Sequence, residues 1–256
     1  MVVGIIQART NSSRLHEKVL LPIQKKPILQ YMLERISQSK KLEKIIVATS
    51  TNNADDRIAN LCKKMNVDCS RGPEDDVLSR FKMASNEVNA KIIVRLNADC
   101  PLLDSLIIDN AVELFKKNDF DYVGTLFPRK GTYPYGMNVE VFSNETLDIA
   151  FSEAKKPSER EHVTPFIWKN PTRFKLKRME YVEDLSKYRF CLDYEEDFKL
   201  IKEIIENLYV KNPNFTLKEL IEWVGSKPEI LKLNSKITND EGWLKSLEKD
   251  KAAGFD

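Results

Sequence analysis

Glycine is scarce in this chain, eight residues in 256, under half the share of about 7% usual in globular proteins. That scarcity disfavours a collagen-like repeat, a Gly-rich linker and a glycine-loop dinucleotide site. An excess of charge of one sign is lacking too. Lys plus Arg number 41 against 39 Asp plus Glu, a formal net charge of +2, so no whole-molecule field draws the chain onto nucleic acid or an anionic membrane. Any polyanion must be held locally. No stretch approaches the ~18 uninterrupted apolar residues of a membrane span, and no basic region followed by an apolar run opens the chain. It therefore reads as cytoplasmic, with neither nucleic acid nor membrane as partner. The four cysteines, Cys62, Cys69, Cys100 and Cys191, include no Cys-x-x-Cys and have no histidine at ligand spacing. Buried reduced thiols are expected rather than a zinc site or a disulfide framework.

What is present is rhythm. The length suits one large α/β domain, or one with a modest appendage. Short apolar runs alternate with amphipathic stretches through the first half, the pattern of βαβ units around a parallel sheet. Strands are expected at 2–6, 44–48, 67–69, 91–96 and 121–125. Helices are expected to open at Pro27, with Ile28, Leu29, Met32, Leu33 and Ile36 inward, and then at 53–65, 73–88 and 104–116. Residues 127–142 carry Pro128, Gly131, Pro134 and Gly136 among aromatics, which suggests an extended loop or hairpin where a substrate lid would sit. Helices at 145–154 and 159–168, a strand at 173–181 and a helix at 195–208 follow. Thr216-Leu-Lys-Glu219 is a capping box. The expected division is 1–208 as the catalytic domain and 209–256 as a helical C-terminal extension.

Three stretches carry chemistry. The first strand runs into Gln7-Ala8-Arg9-Thr10-Asn11-Ser12-Ser13-Arg14, followed by Lys18, a group of cations, hydroxyls and backbone N–H groups suited to a triphosphate. A solvated basic loop is the plain alternative. Asn97-Ala98-Asp99-Cys100-Pro101 places a carboxylate just beyond the strand at 91–96, a usual place to hold Mg²⁺ beside a phosphate, although a cap or turn aspartate is the more frequent explanation of such a residue in isolation. Leu192-Asp193-Tyr194-Glu195-Glu196-Asp197 is an acidic turn opening a helix. Glu196 and Asp197 read as caps, and Asp193 as a candidate second metal ligand.

Taken in order, these stretches together with Pro22, Lys26-Pro27, Arg71-Gly72, Asp75-Asp76-Val77-Leu78, Asp99-Cys100-Pro101-Leu102 and Arg160-Glu161-His162-Val163-Thr164-Pro165 resemble the cytidylyltransferase family over about residues 2–205. The group it most resembles is that of spore coat polysaccharide biosynthesis protein F, similar to the enzymes making CMP-Kdo and CMP-sialic acid. The resemblance implies an α/β, GT-A-like nucleotidyltransferase fold: a mixed, mostly parallel sheet flanked by helices, with an inserted acceptor and dimerisation loop region. It implies transfer of CMP from CTP to an acidic or phosphorylated small molecule with release of pyrophosphate, Mg²⁺ as cofactor, a role in surface polysaccharide biosynthesis, and a homodimer. It implies that Ala8, Arg9, Ser12, Arg14, Lys18 and Asn97 grip the nucleotide and that Thr49, Arg71 and Asp76 build the nucleobase pocket. Arg14, Lys18 and Asp99 would be catalytic, Asp99 and Asp193 would hold metal, and Tyr133, Gly136, Met137, Asn138, Glu140, Arg160, Glu161 and His162 would bind the acceptor.

The sequence departs from the family pattern in places. Asn11 stands where a glycine is usual, and as an asparagine it can turn the loop through left-handed backbone angles. His16-Glu17 stands where Pro-Gly often precedes the loop lysine, and Tyr135 and Asn138 replace expected acidic residues. Two other functions fit the same fold: a glycosyltransferase using a nucleotide sugar, and a catalytically inactive nucleotide-binding module. The Arg9, Arg14 and Lys18 loop suits a free triphosphate better than a sugar diphosphate, and the intact Asp99 and Asp193 argue against decay.

Overall fold

Apolar residues on both faces of a strand require cover on both sides, and the first strand has them: Val3 and Ile5 pack into one layer, Val2 and Ile6 into the other, all at most 1% exposed. The computed structural model describes residues 1–126 and 131–255. The strands are β1 (Val2–Gln7), β2 (Pro22–Ile23), β3 (Lys26–Pro27), β4 (Lys44–Ser50), β5 (Asp68–Gly72), β6 (Ile92–Asn97), β7 (Tyr122–Gly124), β8 (Glu140–Ser143) and β9 (Leu176–Arg178). The helices are α1 (Ile28–Ile36), α2 (Asp56–Met65), α3 (Val77–Glu87), α4 (Ser105–Lys117), α5 (Asn144–Glu153), α6 (Pro157–His162), α7 (Pro165–Trp168), α8 (Glu195–Ile204), α9 (Leu217–Gly225), α10 (Pro228–Leu231) and α11 (Glu241–Ala252).

Seven strands form one sheet in the order β5-β4-β1-β6-β8-β7-β9. Strands β5, β4, β1 and β6 run parallel, β8 lies antiparallel between β6 and β7, and β9 joins β7 in parallel. One face is covered by α1, α2, α4, α8 and α9, the other by α3, α5 and α7. Local sequence fixes where helices start. Asp76, Asp104, Ser143 and Thr216 each accept a backbone N–H in the first turn of α3, α4, α5 and α9, caps worth typically about 1 kcal/mol each. The mixed, mostly parallel α/β architecture is the one the sequence led us to expect, and no helix among the described residues is long and apolar enough to cross a membrane.

Several boundaries differ. The helix expected at 73–88 starts at Val77, because Asp76 is its cap. The one expected at 159–168 is two helices, α6 and α7, separated at Val163, which adopts a φ of 70°; Pro165 has no N–H to continue the ladder. Residues 127–130 of the expected 127–142 loop lie outside the described residues. Its far end is β8, which pairs antiparallel with β7 deep in the sheet, in keeping with the hairpin alternative rather than with a loop throughout. The expected strand at 173–181 is reduced to the edge strand β9, and α8 ends in a wider turn at Ile205–Tyr209. The phosphate loop does not turn at Asn11. Its left-handed residue is Glu17, with φ 51°, whose N–H donates to the Thr10 carbonyl at 3.1 Å. Asn11 instead donates through Nδ2 to Glu74 at 2.8 Å.

Candidate active site

Parallel strands aim their carboxyl ends at one edge of the sheet, and there β1 and β6 run into a cavity of about 480 Å³. It is lined by the loop after β1 (Ala8, Arg9, Ser12, Arg14, Lys18), by Asn97 and Asp99 after β6, by Asn138 and Glu140 at β8, by Glu161 and His162 at the end of α6, and by Asp193 before α8. Widely separated parts of the sequence thus meet in one place.

Its centre is a charge cluster. Lys18 Nζ donates to Asp99 Oδ2 and to Asp193 Oδ1, both at 2.7 Å, and Arg14 Nη2 donates to Asp193 Oδ1 at 2.5 Å. The Lys18 side chain is 11% exposed and that of Asp193 7%. At such burial the partners decide the charge states. Burial by itself lowers the Lys18 pKa, but Asp99 and Asp193 outweigh it and hold the ammonium above the ordinary lysine value. Burial likewise raises the Asp193 carboxyl, yet Lys18, Arg14 and Arg189 hold it well below the usual carboxylate range. Arg189 is itself pinned to Asp197, whose carboxylate accepts the Asp193 and Tyr194 N–H groups at the start of α8. Asp197 is therefore a cap, as expected, and also the brace behind Asp193. Asp99 is no cap, because α4 is capped by Asp104.

A second polar cluster forms the floor. Arg95 of β6 pairs with Glu140 and donates to Gln7 Oε1 at 2.9 Å. Glu140 also accepts from the Tyr122 hydroxyl at 2.5 Å and from Thr164 Oγ1 at 2.6 Å. Arg95, Gln7, Tyr122 and Thr164 all line the cavity; Gln7 and Thr164 fall within the stretches that carry the family resemblance, whereas Arg95 and Tyr122 are assigned nothing by the sequence. The signal was there: Arg95 is the one charge inside the apolar run Ile92-Ile93-Val94-Arg95-Leu96. Buried Arg95 Nε and Asn97 Oδ1 have no hydrogen-bond partner among the described residues, and groups of that kind ask for a ligand or water.

Other expected site residues are placed elsewhere. Thr49, Arg71 and Asp76 do not line the cavity. Thr49 is fully buried on β4. Arg71 donates to the Ser50 and Asn52 carbonyls and to Asp56. Asp76, besides capping α3, takes a forked bond from Arg160, its Nη2 at 2.5 Å; a residue assigned to the nucleobase and one assigned to the acceptor are thus each other's partners. Tyr133 and Met137 are core residues, with Tyr133 against Tyr181 at 5.4 Å between ring centres. Gly136, with φ +105°, lets the chain pass Phe190, whose backbone would lie 2.5 Å from an added Cβ. These three shape the wall carrying Tyr135 and Asn138, which do line the cavity. His162 Nε2 lies 2.8 Å from Ser246 Oγ, and Glu161 pairs with Lys249.

The cysteines are all free, and Cys62, Cys100 and Cys191 are buried. Although far apart in sequence, the sulfur atoms of Cys100 and Cys191 and one oxygen of Asp99 lie within 4.8 Å of one another. As thiols they support the site, Cys100 donating to Asp99 at 3.6 Å and Cys191 to Asp193 at 3.9 Å.

The family model for cytidylyltransferases matches residues 3–221. An uncharacterised protein of Methanocaldococcus jannaschii is 40% identical over 238 residues, covering 92% of this chain and 95% of its own length. The spore coat polysaccharide biosynthesis protein SpsF of Bacillus subtilis is 30% identical over 235 residues, covering 89% and 95%. A cytidylyltransferase structure from Leptospira borgpetersenii superposes with a TM-score of 0.86 at 37% identity, covering 93% of this chain and 99% of that one. The chain belongs to the cytidylyltransferase family and is a nucleotidyltransferase.

Proposed function

We propose that this cytidylyltransferase transfers CMP from CTP to a small acidic sugar or phosphorylated acceptor, in the cytoplasm, as a homodimer, for a surface polysaccharide. The observation that carries the reading is the bridge of Lys18 between Asp99 and Asp193 with Arg14 alongside. Cations and carboxylates in one buried cluster suit a triphosphate and a divalent ion together. The sugar-acid class is supported by the name of a Shewanella oneidensis relative, 27% identical over 236 residues, an 8-amino-3,8-dideoxy-manno-octulosonate cytidylyltransferase.

In the proposed reaction an acceptor hydroxyl oxygen bonds to the α-phosphorus of CTP, the bond from that phosphorus to the bridging oxygen of pyrophosphate breaks, and the hydroxyl proton leaves to solvent. Charge gathers on the α-phosphoryl and pyrophosphate oxygens, so cations must be in place beforehand. Arg9, Arg14 and Lys18 would supply them, with Ala8, Ser12 and Asn97 beside the nucleotide. Asp99 and Asp193 offer the hard oxygen donors that Mg²⁺ prefers, and the ion would neutralise triphosphate charge there. Asn138, Glu140, Glu161 and His162 face the acceptor end, with residues 1–208 as the catalytic domain and 209–256 as an appended helical segment.

The test is direct. CTP with Mg²⁺ at about 100 times Kd should stabilise the protein by about 2.7 kcal/mol, and pyrophosphate should appear when a suitable sugar acid or sugar phosphate is added. Absence of any Mg²⁺-dependent CTP shift would reject the reading.

A further inference from the structure

Helix α11 lies beyond the segment that the family model covers, yet it closes one side of the cavity. Its two ends are fastened. Near the last turn, the buried Asp250 carboxylate accepts from Ser158 N at 2.7 Å and Ser158 Oγ at 2.5 Å. At the first turn, Glu241 accepts from the Tyr194 hydroxyl, and an added Cβ on Gly242 would stand 3.4 Å from Arg14 Nη1. Between these fastenings Trp243, Lys245, Ser246 and Lys249 of α11 line the cavity. The Trp243 ring stands 5.5 Å from Trp168 and 5.2 Å from His162, between ring centres. Ser246 Oγ bonds His162 Nε2 at 2.8 Å and Glu161 Oε2 at 3.1 Å. Trp168, Trp243, Ser246, Glu161 and His162 all line the cavity.

Resting on the reading that the acceptor is a sugar acid, we propose that α11 is the specificity-determining wall of the acceptor subsite. Two indole rings meeting at 50° give the cavity an angled apolar wall against which the C–H groups of a sugar ring fit. Beside it, Ser246 sets the orientation of His162 and Glu161, polar groups that read ring hydroxyls or an amine. Trp243 and Ser246 act on which acid is accepted, while the triphosphate contacts lie on Arg9, Arg14 and Lys18 in the loop after β1. Acceptor choice is then built into a segment separate from the shared catalytic fold.

The experiment measures pyrophosphate release from CTP with 3-deoxy-manno-octulosonate, its 8-amino-8-deoxy analogue and N-acetylneuraminate, in the full-length protein and in Trp243→Ala, Trp243→Phe and Ser246→Ala. Trp243→Ala is expected to raise KM for the preferred acid by about tenfold or more, with KM for CTP within about twofold, and Trp243→Phe to recover part of the loss. Ser246→Ala is expected to change the ratio of kcat/KM between acids, an effect that loss of packing alone would not produce. Should Trp243→Ala fail to fold, the other two variants decide. Unchanged acid KM and unchanged acid ratios in the folded variants overturn the inference alone. If the unsubstituted protein binds CTP but releases no pyrophosphate with any of these acids, the acceptor reading fails and the inference with it.

Discussion

The backbone N–H of Leu192 donates to the carbonyl of Asp99 at 2.8 Å, and this bond brings the carboxylates of Asp99 and Asp193 side by side. Asp99 follows β6 and Asp193 precedes α8, so nothing local brings them together. The bond fixes their separation, and Lys18 and Arg14 from the loop after β1 then fill the space between. A site built from three separate segments is sensitive to each of them.

Asp99→Asn keeps the shape of the side chain and removes its charge. Asp99 is 23% exposed at its side chain, so folding is expected to survive while CMP transfer falls by on the order of 10²–10³, the scale for losing one preorganised charge interaction. Pyrophosphate release beside a thermal melt checks this; unchanged turnover would remove Asp99 from the metal and catalytic roles.

Asp193 is expected to contribute to the acid stability of the chain. Its folded pKa lies below the unfolded value of about 3.9, so its contribution is present above that value and is lost as pH falls through it toward the folded pKa. Lys18 has the opposite sign: with its folded pKa raised, its contribution is complete below the unfolded value of about 10.4 and is lost only as pH rises through the folded one. The cluster is therefore intact from about pH 5 to pH 9. Asp193→Asn takes from Arg14 its carboxylate partner and leaves Lys18 only Asp99 and Arg189 only Asp197, and should cost about 3–5 kcal/mol at pH 7. Its urea-unfolding free energy should fall less steeply below pH 4 than that of the unsubstituted protein, with Asp55 and Asp76, also held low, supplying the remaining fall, and an identical fall in both proteins would refute the assignment.

Asp76→Ala separates two roles. In the structure the carboxylate caps α3 and holds Arg160, so the substitution should lower stability by about 1–2 kcal/mol and leave KM for CTP within about twofold. A tenfold rise in KM for CTP with an unchanged melt would instead restore the nucleobase role that the family resemblance implies.

How much of this could be read from the sequence depended on how local each signal was. The strands β1, β4 and β6 announce themselves as apolar runs, and the caps Thr216 and Asp197 as short polar patterns. Arg14, Lys18, Asp99 and Asp193 were found because each sits at a strand end or helix start. Arg95 escaped because its role depends on Glu140, Tyr122 and Thr164, which come from three other segments. The split of 159–168 escaped because a β-branched Val163 at positive φ is held by tertiary packing that no propensity anticipates. Trp243 escaped for the plainest reason: a tryptophan in a charged terminal stretch reads as surface until α6 is placed beneath it.

That placement is itself open to test through Asp250, far from the charge cluster. Its carboxylate accepts two bonds from Ser158 and is 4% exposed, so Asp250→Ala leaves a buried N–H and hydroxyl without partners, at about 1–3 kcal/mol each. The loss falls on the docking of α11 rather than on the sheet, whose core does not include it. Limited proteolysis should then cut the variant between α9 and α11 at protease concentrations that leave the unsubstituted protein whole, while the core of residues 1–221 stays resistant. Acceptor KM should rise with the undocking, and Asp250→Asn, which keeps one acceptor oxygen, should lie between. Equal protease resistance in all three proteins would mean that α11 is held by its other contacts alone, through Trp243 and Lys249, and that the Ser158 bonds contribute little to its docking.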